Sequence, residues 1–237
     1  MQIYCDFSGY SDIAIGTARL FGFSIMRNFA YPYFARDISE FWHRWHISLS
    51  TWFRDYVYIP LGGSRVGKVR TACNLIFTFA VSGLWHGANW TFVVWGLLHG
   101  LYYVPARLLK KQQRAVDIVA QGRMLPTIAD VGRMLATFMV VMMAWVFFRA
   151  TSVGQAVHFI GRIVTVPYLG LGYGQYLEPL TYAMVPLVVE WLQRERQHGL
   201  EIACLPVWLR WTIYCATIVG ILLFGDFGSN AFIYFQF

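Results

Sequence analysis

Residues 71–104 read TACNLIFTFAVSGLWHGANWTFVVWGLLHGLYYV. Two apolar runs, 71–85 and 89–104, flank the short stretch Gly83-Leu84-Trp85-His86-Gly87-Ala88. A lipid-exposed backbone must satisfy its own hydrogen bonds, so both arms are expected to be helices, and strands are not expected. At 1.5 Å per residue the first arm reaches about 22 Å, short of the roughly 30 Å of a hydrocarbon core. His86 is therefore expected below the membrane surface, at a re-entrant turn, rather than beyond it.

The rest of the chain has the composition of such a hairpin. Of its 237 residues 57% are hydrophobic, 18% aromatic and 13% charged, and the mean hydropathy is +0.48. An ordinary soluble domain carries roughly a quarter charged residues. Too little polar surface is left to cover a water-soluble globule, and disordered and collagen-like classes are excluded. Nineteen Lys+Arg against twelve Asp+Glu give a net charge of +7. The basic residues sit between apolar runs, as the positive-inside bias requires, so a lipid surface and not nucleic acid is the expected partner. Cys5, Cys73, Cys204 and Cys215 show no CxxC spacing, and neither a disulfide framework nor a zinc ribbon follows.

Working outward from the hairpin, further helices are expected over 3–23, 132–148, 179–192 and 205–224, with an amphipathic surface helix over 153–164. A single helix is expected over 37–59, opened by Asp37 and Glu40 as in a capping box and stopped at Pro60-Leu61-Gly62-Gly63. Its stripe of Trp42, Trp45, His46, Leu49, Trp52, Phe53 and Tyr56 is aromatic, while Arg44, Arg54 and Asp55 make it too polar to face lipid. It belongs at the interface or inside the protein. The fold class is therefore all-α: a polytopic integral membrane helical bundle with an interfacial or re-entrant helix, and 1–237 forms one unit. Arg65, Lys68 and Arg70 before the hairpin, and Arg107, Lys110, Lys111, Arg114 and Arg123 after it, place both of its ends in the cytoplasm. Residues 150–178 then lie outside, and the connection bearing Arg194 and Arg196 returns inside.

Of six histidines, two carry the chemical interest. Gly83, Gly87 and Ala88 allow close approach to His86, and Trp85 and Trp90 are expected to wall it. A desolvated imidazole there stays neutral and able to accept a proton, which suits a general base. The alternative is a histidine merely hydrogen-bonded in the bundle. His46 is expected to line the same cavity from another helix, against the alternative that it only serves the mixed polarity of an interfacial helix. His43 is assigned to a solvated face, His99 to packing within its span, and His158 and His198 to the interface or loops. Glu40 with His43 supplies one ExxH element, but there is no second ExxH, no HExxH and no HxxHH box, so no metal is expected. Phosphate-loop, nucleophile-elbow and kinase signatures are absent from the sequence, and the glycine-rich stretch 170–174 is read as a loop.

QIYCDFSGYSDIAIGTARLFGF (2–23), NFAYPYFARDISEFWHRWHISLSTWFRDYVYIPLGGSR (28–65) and SGLWHGANWTFVVWGLLHG (82–100) together resemble the membrane-bound O-acyltransferase family. The likeness is to its bacterial branch, which includes the alginate O-acetyltransferase membrane subunit. The terminal FIYFQF is similar to the C-terminus of that branch. The resemblance implies transfer of an acyl group, usually acetyl, from a cytoplasmic thioester donor such as acetyl-CoA or an acyl carrier. The group moves toward hydroxyls of an exported polysaccharide such as alginate, with no bound cofactor. It places the family's invariant histidine at His86, in Trp85-His86-Gly87, and the second histidine of the branch at His46, in Trp45-His46-Ile47-Ser48. It also implies a bacterial cytoplasmic-membrane location, periplasmic acetyltransferase subunits as partners, and further membrane helices ahead of Gln2. The apolar pattern opens with Asp6 and Asp12 already inside it, as in a chain whose start lies upstream. A different class of protein, a non-catalytic membrane scaffold that recruits a periplasmic transferase, is the competing reading.

Overall fold

A computed structural model describes residues 1–109, 117–165, 174–225 and 228, and among these there are helices and connections but no strand. The chain runs through α1 (Gln2–Leu20), a 3-10 turn (Pro32–Phe34), α2 (Ile38–Arg44), α3 (Ile47–Phe53) and a wider π turn (Arg54–Tyr58). It continues through α4 (Lys68–His86), α5 (Trp90–Leu109), α6 (Ile128–Arg149), α7 (Val153–Thr165), α8 (Gly174–Gln193) and α9 (Val207–Phe224). Helices α5, α6 and α9 are each long and apolar enough to cross a membrane. The protein is an all-α membrane helical bundle. Lys110, Lys111, Arg114, the glycines at 170 and 172 and the terminal FIYFQF lie outside the described residues.

The hairpin forms as expected, with one correction. Helix α4 begins at Lys68 and ends at His86, nineteen residues in all, so it reaches about 28 Å and comes close to matching the hydrocarbon thickness. A short first arm therefore does not set the depth of His86. The start moves because Gly67 can serve as N-cap and the Thr71 amide bonds back to the Gly67 carbonyl at 2.9 Å, drawing the basic turn into the helix.

What holds the two arms together is small residues. A Cβ on Gly96 would fall 2.2 Å from the Phe79 carbonyl oxygen, and one on Gly83 would fall 2.2 Å from that of Phe92. The backbones are thus nearly in contact, the packing that glycine at four-residue spacing permits between membrane helices. Gly96-Leu97-Leu98-His99-Gly100 is such a spacing.

The expected single helix over 37–59 is broken. After α2 the Trp45 backbone is extended (φ −107°, ψ 128°) and His46 is left-handed (φ 45°, ψ 55°) before α3 begins. The reason is long-range. Ile47 N–H donates to the Asn28 carbonyl at 2.9 Å, and Ala30 N–H donates to the Arg44 carbonyl at 2.9 Å, so a preceding segment takes backbone groups that a continuous helix would use. The aromatic stripe divides accordingly: Trp42 and Trp45 are buried, whereas Trp52 and Tyr56 are exposed. Asp37 does cap α2, accepting from Glu40 N–H at 2.9 Å. Glu40, however, turns its carboxylate to Arg36 and Arg44, at 3.1 Å and 2.7 Å, instead of closing a capping box.

The core is a sheet of aromatic contacts between α2, α5 and α6. Phe41 and Trp45 stack at 5.4 Å, Trp45 meets Trp145 at 5.2 Å, and Trp145 meets Phe148 at 4.8 Å. The basic connections gather at one end of the bundle. Arg107 donates to Ser64 Oγ at 2.9 Å, and Arg36 and Arg44 both donate to the Asp117 carbonyl. Arg194 donates to the carbonyls of Val119, Ala120 and Arg123.

The glycine contact yields a test. Gly96→Ala puts a Cβ into backbone that cannot swing away, whereas Gly132 on α6 has nothing within 4 Å. In detergent, Gly96→Ala is expected to lose about 1–3 kcal/mol and to lower the unfolding midpoint by several degrees. Gly132→Ala should hold or raise it. Equal midpoints for the two variants would show that the hairpin does not depend on this close approach.

Candidate functional site

His86 is the last residue of α4, and its imidazole sits in an aromatic corner. Trp95 from α5 meets it edge-on with ring centroids 5.2 Å apart, and Phe148 from α6 does so at 5.1 Å. Those two rings are themselves 5.2 Å apart. Of the expected wall of Trp85 and Trp90, Trp85 does meet the imidazole edge-on at 4.9 Å, its outer face left exposed, whereas Trp90 is corrected: it is 75% exposed. The reason is helical geometry: Trp90 and Trp95 are five residues apart, about 140° around α5, so only one can face the histidine.

His46 approaches from the connection between α2 and α3, outside the spanning helices. It is buried, and the Phe7 ring of α1 stands edge-on to it at 4.6 Å. Left-handed backbone at a residue other than glycine costs of order 1–3 kcal/mol and persists only where surroundings impose it. Here Asn28 does so, accepting from Ile47 N–H at its carbonyl, and from Ser48 N–H (3.2 Å) and the Ser48 hydroxyl (2.5 Å) at Oδ1. Burial pushes the His46 imidazole down to about 3, and His86 adds a smaller shift in the same direction. The two histidines expected to share a cavity are thus within electrostatic reach of each other.

The other histidines stand apart. His43 is exposed, with Nδ1 2.6 Å from the Ser39 carbonyl. His99 is fully buried and accepts from Trp42 Nε1 at 3.3 Å, in keeping with a packing role. His158 and His198 are exposed. Among the described residues no three His, Cys, Asp or Glu side chains gather as a metal-ligand set.

Sequence reasoning missed Trp95, Phe148 and Asn28, and gave Ser48 only as the last residue of the Trp45-His46-Ile47-Ser48 motif. Trp95 was within reach, because it shares a face with His99 four residues on, and that face lies along the glycine pair. Asn28 acts through contacts across 20 residues that no local pattern announces.

The class the fold defines is an all-helical membrane bundle, with one histidine in an aromatic corner and a second within electrostatic reach of it. The sequence matches the membrane-bound O-acyltransferase family over residues 1–152. The chain belongs to that family. It is 48% identical over 155 residues to a probable alginate O-acetylase of Azotobacter vinelandii, covering 65% of this chain and 29% of that one. It is 42% identical over 163 residues to a peptidoglycan O-acetyltransferase of Helicobacter pylori, covering 69% and 29%. Against a teichoic acid D-alanyltransferase of Streptococcus thermophilus the identity is 41% over 120 residues, covering 47% and 29%. The chain thus spans less than a third of the length of these relatives.

His46 gives the site a pH dependence. Its folded-state value of about 3 lies below the usual 6.5, so the unfolded chain binds the proton more readily. The stability of the neutral, buried form is fully present above pH 6.5 and is lost progressively as pH falls toward 3. The unfolding midpoint in detergent is expected to drop through that window, and His46→Gln should flatten the drop. An equally steep decline in His46→Gln would assign the acid sensitivity to other groups.

Proposed function

We propose that this chain is an O-acyltransferase of the bacterial cytoplasmic membrane. It moves an acetyl or other acyl group from a cytoplasmic thioester, acetyl-CoA or an acyl carrier, toward hydroxyls of an exported polysaccharide such as alginate. The observation that carries the reading is His86 in its aromatic corner with His46 close by, in a chain of this family whose relatives are named for acetyl and alanyl transfer to cell-surface polymers.

In the reaction His86 acts as general base. The acceptor hydroxyl oxygen attacks the thioester carbonyl carbon while its proton passes to the imidazole. The tetrahedral intermediate collapses with loss of the carbon–sulfur bond, and the thiolate takes the proton back from His86. An ester and a thiol result. Proton transfer of this kind contributes about 10²- to 10⁴-fold in rate. Trp95 and Phe148 keep water from the reacting carbon, which protects the thioester from hydrolysis. His46 orients a substrate or relays the proton. Periplasmic acetyltransferase subunits are the partners that receive the group or complete its delivery.

The chain crosses the membrane several times, with the Ser64–Arg107 end of the hairpin in the cytoplasm. The gathering of Arg36, Arg44, Arg107 and Arg194 at one end of the bundle supports that orientation. Asn89 near the His86 turn bonds the Thr151 carbonyl at 3.3 Å, which sets the α6–α7 junction toward the opposite end.

Two experiments test this. His86→Ala is expected to abolish acetylation of the exported polymer while the protein remains inserted at normal abundance; undiminished acetylation removes His86 from the mechanism. In a background with the four cysteines replaced, cysteine at Ser64 should react with an impermeant thiol reagent only from the cytoplasmic side, and cysteine at Thr151 only from outside. Labelling of the Ser64 position from outside overturns the orientation.

A further inference from the structure

The turn that carries His46 contains a chain of hydrogen bonds whose proton positions follow from one fact: a backbone N–H can only donate. The Ser48 amide meets the Asn28 side chain at 3.2 Å, so the atom it faces is the carbonyl oxygen Oδ1, and the orientation of the Asn28 amide is set. The Ser48 hydroxyl meets the same Oδ1 at 2.5 Å. Oδ1 has no hydrogen to give, so the hydroxyl spends its only proton there. What Ser48 Oγ presents to His46 Nδ1, 3.5 Å away, is a lone pair. That contact is a hydrogen bond only when Nδ1 carries the proton. A neutral imidazole has a single N–H, so Nε2 is then bare.

We propose that Asn28 and Ser48 are positioning residues that hold His46 in the Nδ1–H tautomer and leave Nε2 as a proton acceptor. The rest of the turn serves the same end. Asn28 also fixes the left-handed backbone through Ile47 N–H and reaches α1 through Nδ2 to Ser11 Oγ at 3.5 Å. Phe7 limits the rotation of the imidazole plane from the side. Nε2 takes no hydrogen bond from a described residue, which leaves it open to a ligand.

The inference rests on the acyl-transfer reading for its consequence, and it narrows the role given there to His46. A bare Nε2 accepts a hydrogen bond and cannot donate one. The group it meets must therefore be a donor, and since the reacting hydroxyl gives its one proton to His86, that donor is a neighbouring hydroxyl of the incoming sugar and not the thioester carbonyl. His46 holds that second O–H and so orients the sugar. The histidines in this region are set in different ways: His99 Nδ1 accepts from Trp42 Nε1, so its proton is on Nε2, whereas His43 Nδ1 donates to the Ser39 carbonyl.

The test is a tautomer measurement on the whole chain in detergent micelles, with ¹⁵N-labelled histidine and long-range ¹H–¹⁵N correlation near neutral pH. The wild-type protein is expected to show His46 protonated at Nδ1 and His99 at Nε2. Ser48→Ala should move the His46 proton to Nε2, the form a free imidazole prefers, and Ser48→Thr should restore Nδ1–H, with His99 unchanged in both as the mark of an intact core. Nε2–H at His46 in the wild-type spectrum overturns the proposal without any variant. So does Nδ1–H that persists in Ser48→Ala. In an acetylation assay Ser48→Ala should lower kcat on the order of 10²-fold with KM for the thioester little changed, and Ser48→Thr should recover it. A rate unchanged in Ser48→Ala refutes the positioning role. Absence of transfer by the wild-type protein would instead refute the acyl-transfer reading and leave the tautomer assignment to the spectrum.

Discussion

Asn28 holds apart two helices that local sequence would join. Its carbonyl and its side chain together take the first two amides of α3 and the Ser48 hydroxyl, and the Ala30 amide takes the last carbonyl of α2. With those groups engaged from outside, the helical ladder is interrupted between Arg44 and Ile47, and the extended Trp45 and left-handed His46 become the conformation with the fewest unmet hydrogen bonds. The strain at His46 is of the same order as one or two of these bonds. The break therefore stands only while Asn28 stays in place. It also separates two side chains that adjoin in sequence: Trp45 enters the aromatic core, and His46 turns toward Phe7 and the neighbourhood of His86.

Helix α2 is an unusual occupant for the interior, because a seven-residue element there carries Glu40 and Arg44, both buried. Unpaired, each charge would cost several kcal/mol in an apolar surround. The carboxylate instead receives Arg36 and Arg44, and both guanidinium groups go on to the Asp117 carbonyl. The charges thus sit where the bundle meets its basic connections, and the helix presents Phe41 and Trp42 inward from that anchor. Removing one partner would strand the others, so the network specifies where α2 lies more than it adds stability.

How far the sequence reveals this depends on the range of the determining contact. The hairpin, the amphipathic α7 and the packing of His99 follow from periodicity over a few turns, and those were legible. The division at Trp45 was not, since the residues over 37–59 are individually compatible with one helix and the reason for the break lies upstream at Asn28 and Ala30. The resemblance of Trp85-His86-Gly87 and Trp45-His46-Ile47-Ser48 singles out two of the six histidines. Their surroundings were not legible, because Phe148 comes from a helix more than sixty residues away. Trp90 misled by proximity in sequence, although counting residues around α5 would have turned it away from His86.

The family match ends at residue 152, and every group named in the site, from Phe7 to Phe148, lies within it. The later helices act on the site from behind. The Tyr4 hydroxyl, buried in the core beside Phe29 and Trp45, donates to the Glu190 carboxylate of α8. Trp191 packs on Phe34 and donates to the Met124 carbonyl, and the Tyr31 hydroxyl donates to the Arg196 carbonyl. Arg194 gathers the carbonyls that follow Val119 while stacking on Trp191 at 4.2 Å. These contacts hold the segment from Tyr31 to Phe34, which begins three residues after Asn28, against α8 and the turn that follows it. The position of Asn28, and through it the tautomer and direction of His46, is therefore set from both sides: by α1 through Ser11 and by α8 through the residues just beyond.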